Sequence, residues 1–70
     1  MWKKGEKQAV AEMAGVSPGY LSNVLARRHR ASGNAAVGLA DACAALRIPI
    51  KREDFVFNKE TDNPYFAPKE

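Results

Sequence analysis

The feature that most limits the fold is a break at residues 15–18, Gly-Val-Ser-Pro, set between two short apolar stripes. Upstream, Ala9, Val10, Met13 and Ala14 recur at i, i+1, i+4 and i+5. That spacing marks one face of a helix spanning residues 3–14. Gly15 tolerates the positive φ that a sharp helix end requires, and Val16 points back to the core. Ser17 is a good N-cap, and Pro18 suits the first helical position, where a missing N–H costs nothing. Leu21, Val24 and Leu25 then supply the i, i+3, i+4 stripe of a second helix, expected from residue 18 to about residue 28.

Downstream, residues 29–33 read as a connection. Ser32 or Asn34 can cap a third helix over residues 35–46, whose larger apolar members are Val37, Leu39, Cys43 and Leu46. Gly38 weakens that helix by about 1 kcal/mol relative to alanine, or else permits close approach of another helix. Ile48-Pro49-Ile50 ends it, because a residue before proline is pushed out of the α region. Residues 51–54 suit a short helical turn, and Phe55-Val56-Phe57 is a β-prone run suited to a short strand. Tyr65-Phe66 stands in a polar stretch between Asn63-Pro64 and Ala67-Pro68, so these aromatics are expected to dock on the core or on a partner.

The expected fold is therefore all-α: a small helix-turn-helix bundle of three to four helices with an irregular or short-strand C-terminal tail. Residues 1–50 form the helical domain and residues 51–70 the tail. A chain of 70 residues has room for one domain with a thin core, which favours self-association.

Composition closes most chemical routes. The single cysteine, Cys43, can form no internal disulfide, and one Cys with one His does not make a four-ligand zinc site. Cys43 lies among Ala42, Ala44, Ala45 and Leu46, where a small buried residue is expected. His29 stands between Arg28 and Arg30 with no carboxylate within three residues to orient it. With no nucleophile–base pair and no Gly-rich phosphate loop, the reading is a non-enzyme without cofactor or metal. No apolar run approaches the roughly 20 residues of a membrane span, and residues 1–5 lack a signal-peptide core. A cytoplasmic protein is expected.

Charge is uneven. Residues 1–30 carry six basic and two acidic side chains, whereas residues 31–70 carry five basic and six acidic ones. The positive field thus coincides with the two-helix motif, which suits an acidic polymer. The motif suits DNA in particular. In a helix-turn-helix the first helix crosses the backbone and the second enters the major groove. That geometry needs a small residue in the first helix, a turn-former between the two, and apolar residues locking them together. Ala11, Gly15, Val16, Leu21 and Val24 meet these needs.

Residues 7–26, KQAVAEMAGVSPGYLSNVLA, resemble the helix-turn-helix of the lambda repressor-like (Cro/C1-type) class. The likeness extends over roughly residues 6–50, including the basic stretch after the second helix. It implies a sequence-specific bacterial or phage transcriptional regulator, a repressor acting as a dimer on double-stranded DNA. The same pattern occurs in antitoxins, so an antitoxin or protein-interaction module is the alternative, with Phe55, Phe57, Tyr65 and Phe66 meeting a protein partner. The class places a further helix before the motif and often has Gln where Lys7 stands here, with Gln8 one place later.

Carried over by position, Ser17, Pro18, Gly19, Ser22 and Asn23 face bases. Asn23 is the best reader, since its amide can pair bidentately with adenine. Lys7, Gln8, Tyr20, Arg27, Arg28 and Arg30 are assigned to phosphates, where they position the domain without reading sequence. Tyr20 has a second available role in half-buried helix packing. Trp2 is expected to cap the core in place of the absent first helix, with a DNA or partner contact as the alternative.

Overall fold

A computed structural model describes residues 2–68. These residues form four helices: α1 (Glu6–Ala14), α2 (Pro18–Leu25), α3 (Gly33–Ala45) and α4 (Arg52–Val56). There is no strand among the described residues. α3 packs against both α1 and α4, while α2 packs on α1.

Each boundary has a local cause. At the start of α1, Glu6 accepts a hydrogen bond from the Lys3 N–H at 2.6 Å, placing its carboxylate at the positive end of the helix. Gly15, at φ 73°, ends α1 as the break required. Its N–H donates to the Glu12 carbonyl and that of Val16 to the Ala11 carbonyl, satisfying the last turn. Ser17 Oγ accepts from the Tyr20 N–H at 3.1 Å and Pro18 opens α2. Ser32, not Asn34, caps α3 through a bond from the Ala35 N–H, so α3 starts ahead of the expected residue 35.

α2 is shorter than its sequence suggests. It stops at Leu25, because Arg27 turns into the left-handed region at φ 65°. The Arg27 N–H donates to the Val24 carbonyl and the Arg28 N–H to the Asn23 carbonyl, the same closing pattern that follows α1.

A second correction concerns residues 55–57, expected as a strand. Residues 55 and 56 instead belong to α4, which Phe57 caps at its C-terminal end. A three-residue β run has no partner strand here, and an unpaired strand leaves its backbone unsatisfied. Asp54 reaches back to the Lys51 N–H at 3.1 Å, which starts a helical turn, and that turn buries Phe55 completely.

One buried cluster joins all of these elements. Val10 and Ala11 of α1, Leu21 and Val24 of α2, and Leu39 and Cys43 of α3 meet Ile48, Ile50, Phe55 and Phe66. The chain after residue 50 thus contributes directly to the core, with the Phe55 and Phe66 rings edge-on at 5.6 Å. Gly38 faces Ala14 of α1, but a Cβ added there would stand 3.4 Å from the Ala14 carbonyl oxygen, an ordinary van der Waals distance, so the approach does not require the glycine. Burial pushes the Cys43 thiol up to about 11, with the Glu6 charge adding to the effect. Cys43 is consequently a packing residue rather than a reactive one. No helix among the described residues is long and apolar enough to cross a membrane.

Candidate nucleic-acid interface

α2 advances about 100° per residue, so burying Leu21, Val24 and Leu25 turns Gly19, Ser22 and Asn23 outward. All three are exposed, as are Ser17 and Pro18 at the helix start. Gly19, Ser22 and Asn23 therefore share the outer face of α2, while Ser17 and Pro18 lie exposed at its N-terminal end. The fold itself does not need glycine at position 19, since a Cβ there would meet nothing within 4 Å. The result is a shallow outer face open to close approach. Ser17 is partly committed, its Oγ capping the helix. Asn23 Oδ1 lies 3.4 Å from Arg28 Nη1, a long contact that leaves both side chains exposed.

The residues assigned to phosphates divide into two groups. Lys7 from α1 and Arg28 from the turn after α2 line one groove of about 430 Å³, together with Ser22 and Ala26. Among the described residues, no carboxylate lines it. Gln8 lies outside this groove, exposed on α1 with its amide 3.5 Å from Glu12 Oε1.

The other three side chains are engaged within the fold. Arg27 Nη1 donates to the carbonyls of Asn58 at 2.6 Å and Thr61 at 2.7 Å, and Nε donates to the Ala67 carbonyl. Its guanidinium also lies over the Phe66 ring at 5.8 Å. The planar fork spans three backbone acceptors, which fastens the tail beneath the end of α2. Arg30 pairs with Glu60 at 3.2 Å, both sides largely exposed, a contact worth about 0–1 kcal/mol that a phosphate can replace. Tyr20 takes its packing role: it is half-buried, its hydroxyl accepts from the Ser32 N–H at 3.3 Å, and its ring meets His29 edge-on at 5.7 Å.

Trp2 sits half-buried at the core edge, as expected of a cap. Its Nε1–H donates to the Tyr65 carbonyl at 2.8 Å, and the two rings meet edge-on at 5.1 Å. Of the tail aromatics, Phe55 and Phe66 are buried, Tyr65 is half-buried against Trp2, and Phe57 is 54% exposed.

Asn58 is the residue that sequence reading missed. It is fully buried, and its Nδ2 donates to the carbonyls of Val24 and His29, both at 2.7 Å. Those two acceptors fix the amide orientation and leave Oδ1 buried without a partner. Asn58 and Arg27 together hold the turn that carries Arg28. Nothing in the Phe57-Asn58-Lys59 run marks that role, because both acceptors are some thirty residues away.

Compared with known proteins, the chain matches no family model, no curated protein and no solved structure.

Proposed function

We propose that this chain is a DNA-binding regulator that lays the outer face of α2 in the major groove of duplex DNA. The observation that carries the reading is the pairing of that exposed face with two cations in a groove that no carboxylate of the described residues lines. Lys7 and Arg28 approach from different elements, and Gly19, Ser22 and Asn23 lie beside them without an internal task that fills the face. The resemblance of residues 7–26 to the lambda repressor-like class points the same way. In this reading Asn23 reads adenine, Gly19 and Pro18 admit close approach, and Lys7 and Arg28 hold phosphates. Arg30 joins them by exchanging Glu60 for a phosphate. The biological role is repression of a bacterial or phage operator in the cytoplasm. A dimer reads it, with its two α2 helices about 34–36 Å apart on a palindromic site.

The test is binding to duplexes, first of random sequence at two salt concentrations and then to a site selected from a random pool. Asn23→Ala relaxes specificity by about 1–3 kcal/mol at one base pair. Arg28→Ala weakens binding to every sequence and lowers the salt slope by about 1. Equal losses on selected and random duplex for both variants would sink this division of roles. Phe57 supports a second reading, since a large aromatic left 54% exposed suits a protein partner such as a toxin. Failure to bind any duplex at about 50 mM salt favours that interaction module over the DNA reading.

A further inference from the structure

The groove beside α2 has a second wall that the motif does not provide. Its lining joins Lys7, Ser22, Ala26 and Arg28 to Trp2 and Tyr65, which meet across the fold. The indole is fixed there by its bond to the Tyr65 carbonyl and by the edge-on ring contact. The Tyr65 backbone is fixed in turn, its N–H donating to Asn63 Oδ1 at 2.9 Å. The tail is also tied to α2 by the Ala67 N–H donating to the Leu25 carbonyl at 2.9 Å. The groove is therefore a built channel that combines two cations with a fixed aromatic pair.

We infer that this channel seats one sugar-phosphate strand of the duplex, its phosphates toward Lys7 and Arg28 and its deoxyriboses against Trp2 and Tyr65. The inference rests on the DNA reading above and extends it to the chain's two ends. An α-helix with side chains is about 10–12 Å across, and the major groove is about 12 Å wide. A helix that fills the groove must have a backbone strand running along each flank. Ser22 and Ala26 form the flank of α2 that borders the channel, so the strand on that side passes through it.

Charge selects the same occupant. Two cations with no opposing carboxylate among the described residues attract a polyanion, and they repel a second copy of the same channel. A second depression, lined by Lys51, Asp54 and Asp62 near Pro49, holds more negative than positive charge and suits no phosphate.

Trp2 is the only tryptophan in the chain, which makes the wild-type protein its own reporter. The experiment follows quenching of Trp2 by acrylamide while a fluorescent-labelled duplex is titrated and its anisotropy gives binding independently. The expected result is that quenching falls as the duplex binds, and that Lys7→Gln and Arg28→Gln each reduce the salt slope by about 0.9. Tyr65→Leu weakens binding and leaves the slope unchanged, because the sugar wall carries no charge. Duplex binding with unaltered Trp2 quenching overturns the channel and leaves the assignment of the α2 face standing. Absence of duplex binding at low salt overturns both. Protection of Trp2 by thymidine monophosphate but not by duplex also overturns the inference, by assigning the channel to a free nucleotide.

Discussion

Both α2 and α3 finish on an arginine in the left-handed region, Arg27 at φ 65° and Arg47 at φ 59°. The backbones close in the same way. The Arg27 and Arg28 N–H groups donate to Val24 and Asn23, and those of Arg47 and Ile48 donate to Ala44 and Cys43. The side chains then part company. Arg47 is exposed and makes no hydrogen bond or ion pair with the described residues, whereas Arg27 binds three tail carbonyls. A left-handed non-glycine residue costs roughly 1–2 kcal/mol. After α3 that cost stands uncompensated; after α2 it is offset by the clamp. The same turn therefore serves two ends: one simply stops a helix, the other fastens the rest of the chain to the helix proposed to meet DNA.

The most severe way to break the α2 end is Asn58→Asp. It would set a carboxylate, fully buried, against the Val24 and His29 carbonyls that now accept hydrogen bonds. Leaving a buried charge unpaired costs about 3–5 kcal/mol, enough to unfold most of a domain this small. Urea denaturation of Asn58→Asp beside Asn58→Ala checks it, with the alanine variant expected to lose about 2 kcal/mol. Equal stability of the two variants would mean that the amide is not held as described.

Next comes the direct contrast of the two arginines. Arg27→Gly relieves the backbone but removes all three tail bonds, for a net loss of about 2–4 kcal/mol. Arg47→Gly relieves the same backbone and removes no partner. Against the relief stand the greater freedom of glycine in the unfolded chain and the lost cation at a helix C-terminus, leaving a gain of about 0.5 kcal/mol. Thermal unfolding midpoints moving in opposite directions are the expected outcome. A matching drop in both would erase the distinction between the two ends.

These turns also mark where sequence reading stops. Gly15, Ser17, Pro18 and Ser32 announce their helix ends locally, and the structure places them as their chemistry demands. Arg27 announces nothing. Its left-handed φ is stabilised by a carbonyl 40 residues away, so α2 looks longer in the sequence than it is. Phe55-Val56-Phe57 fails for a related reason: its β preference is local, whereas burial of Phe55 and the capping bond from Asp54 are what decide. The outer face of α2 was legible because helical periodicity alone turns Gly19, Ser22 and Asn23 away from the core. The channel beside it was not, since Trp2 and Tyr65 meet across a separation of 63 residues.

The smallest expected effect separates the two ends by acid. The stretch after α3 is gathered around Asp54, whose carboxylate accepts from the Thr61 hydroxyl at 2.7 Å and from the Lys51 N–H and the Asn63 amide at 3.1 and 3.0 Å. Burial raises the Asp54 pKa, but these hydrogen bonds and the Lys51 charge outweigh it and leave the carboxyl below its ordinary value of 3.8. A folded value below the unfolded one gives stability that is fully present above pH 3.8 and is lost as pH falls through the folded value. The Arg27 clamp contains no carboxylate, only a guanidinium and three backbone carbonyls. Acid titration followed by amide NMR should therefore move the Lys51 N–H while the Ala67 N–H, bonded to the Leu25 carbonyl, stays in place. Asp54→Asn should abolish the Lys51 transition and leave Ala67 unaffected. If both amides shifted together in the wild type, the two ends would be one acid-labile unit rather than two independent fastenings.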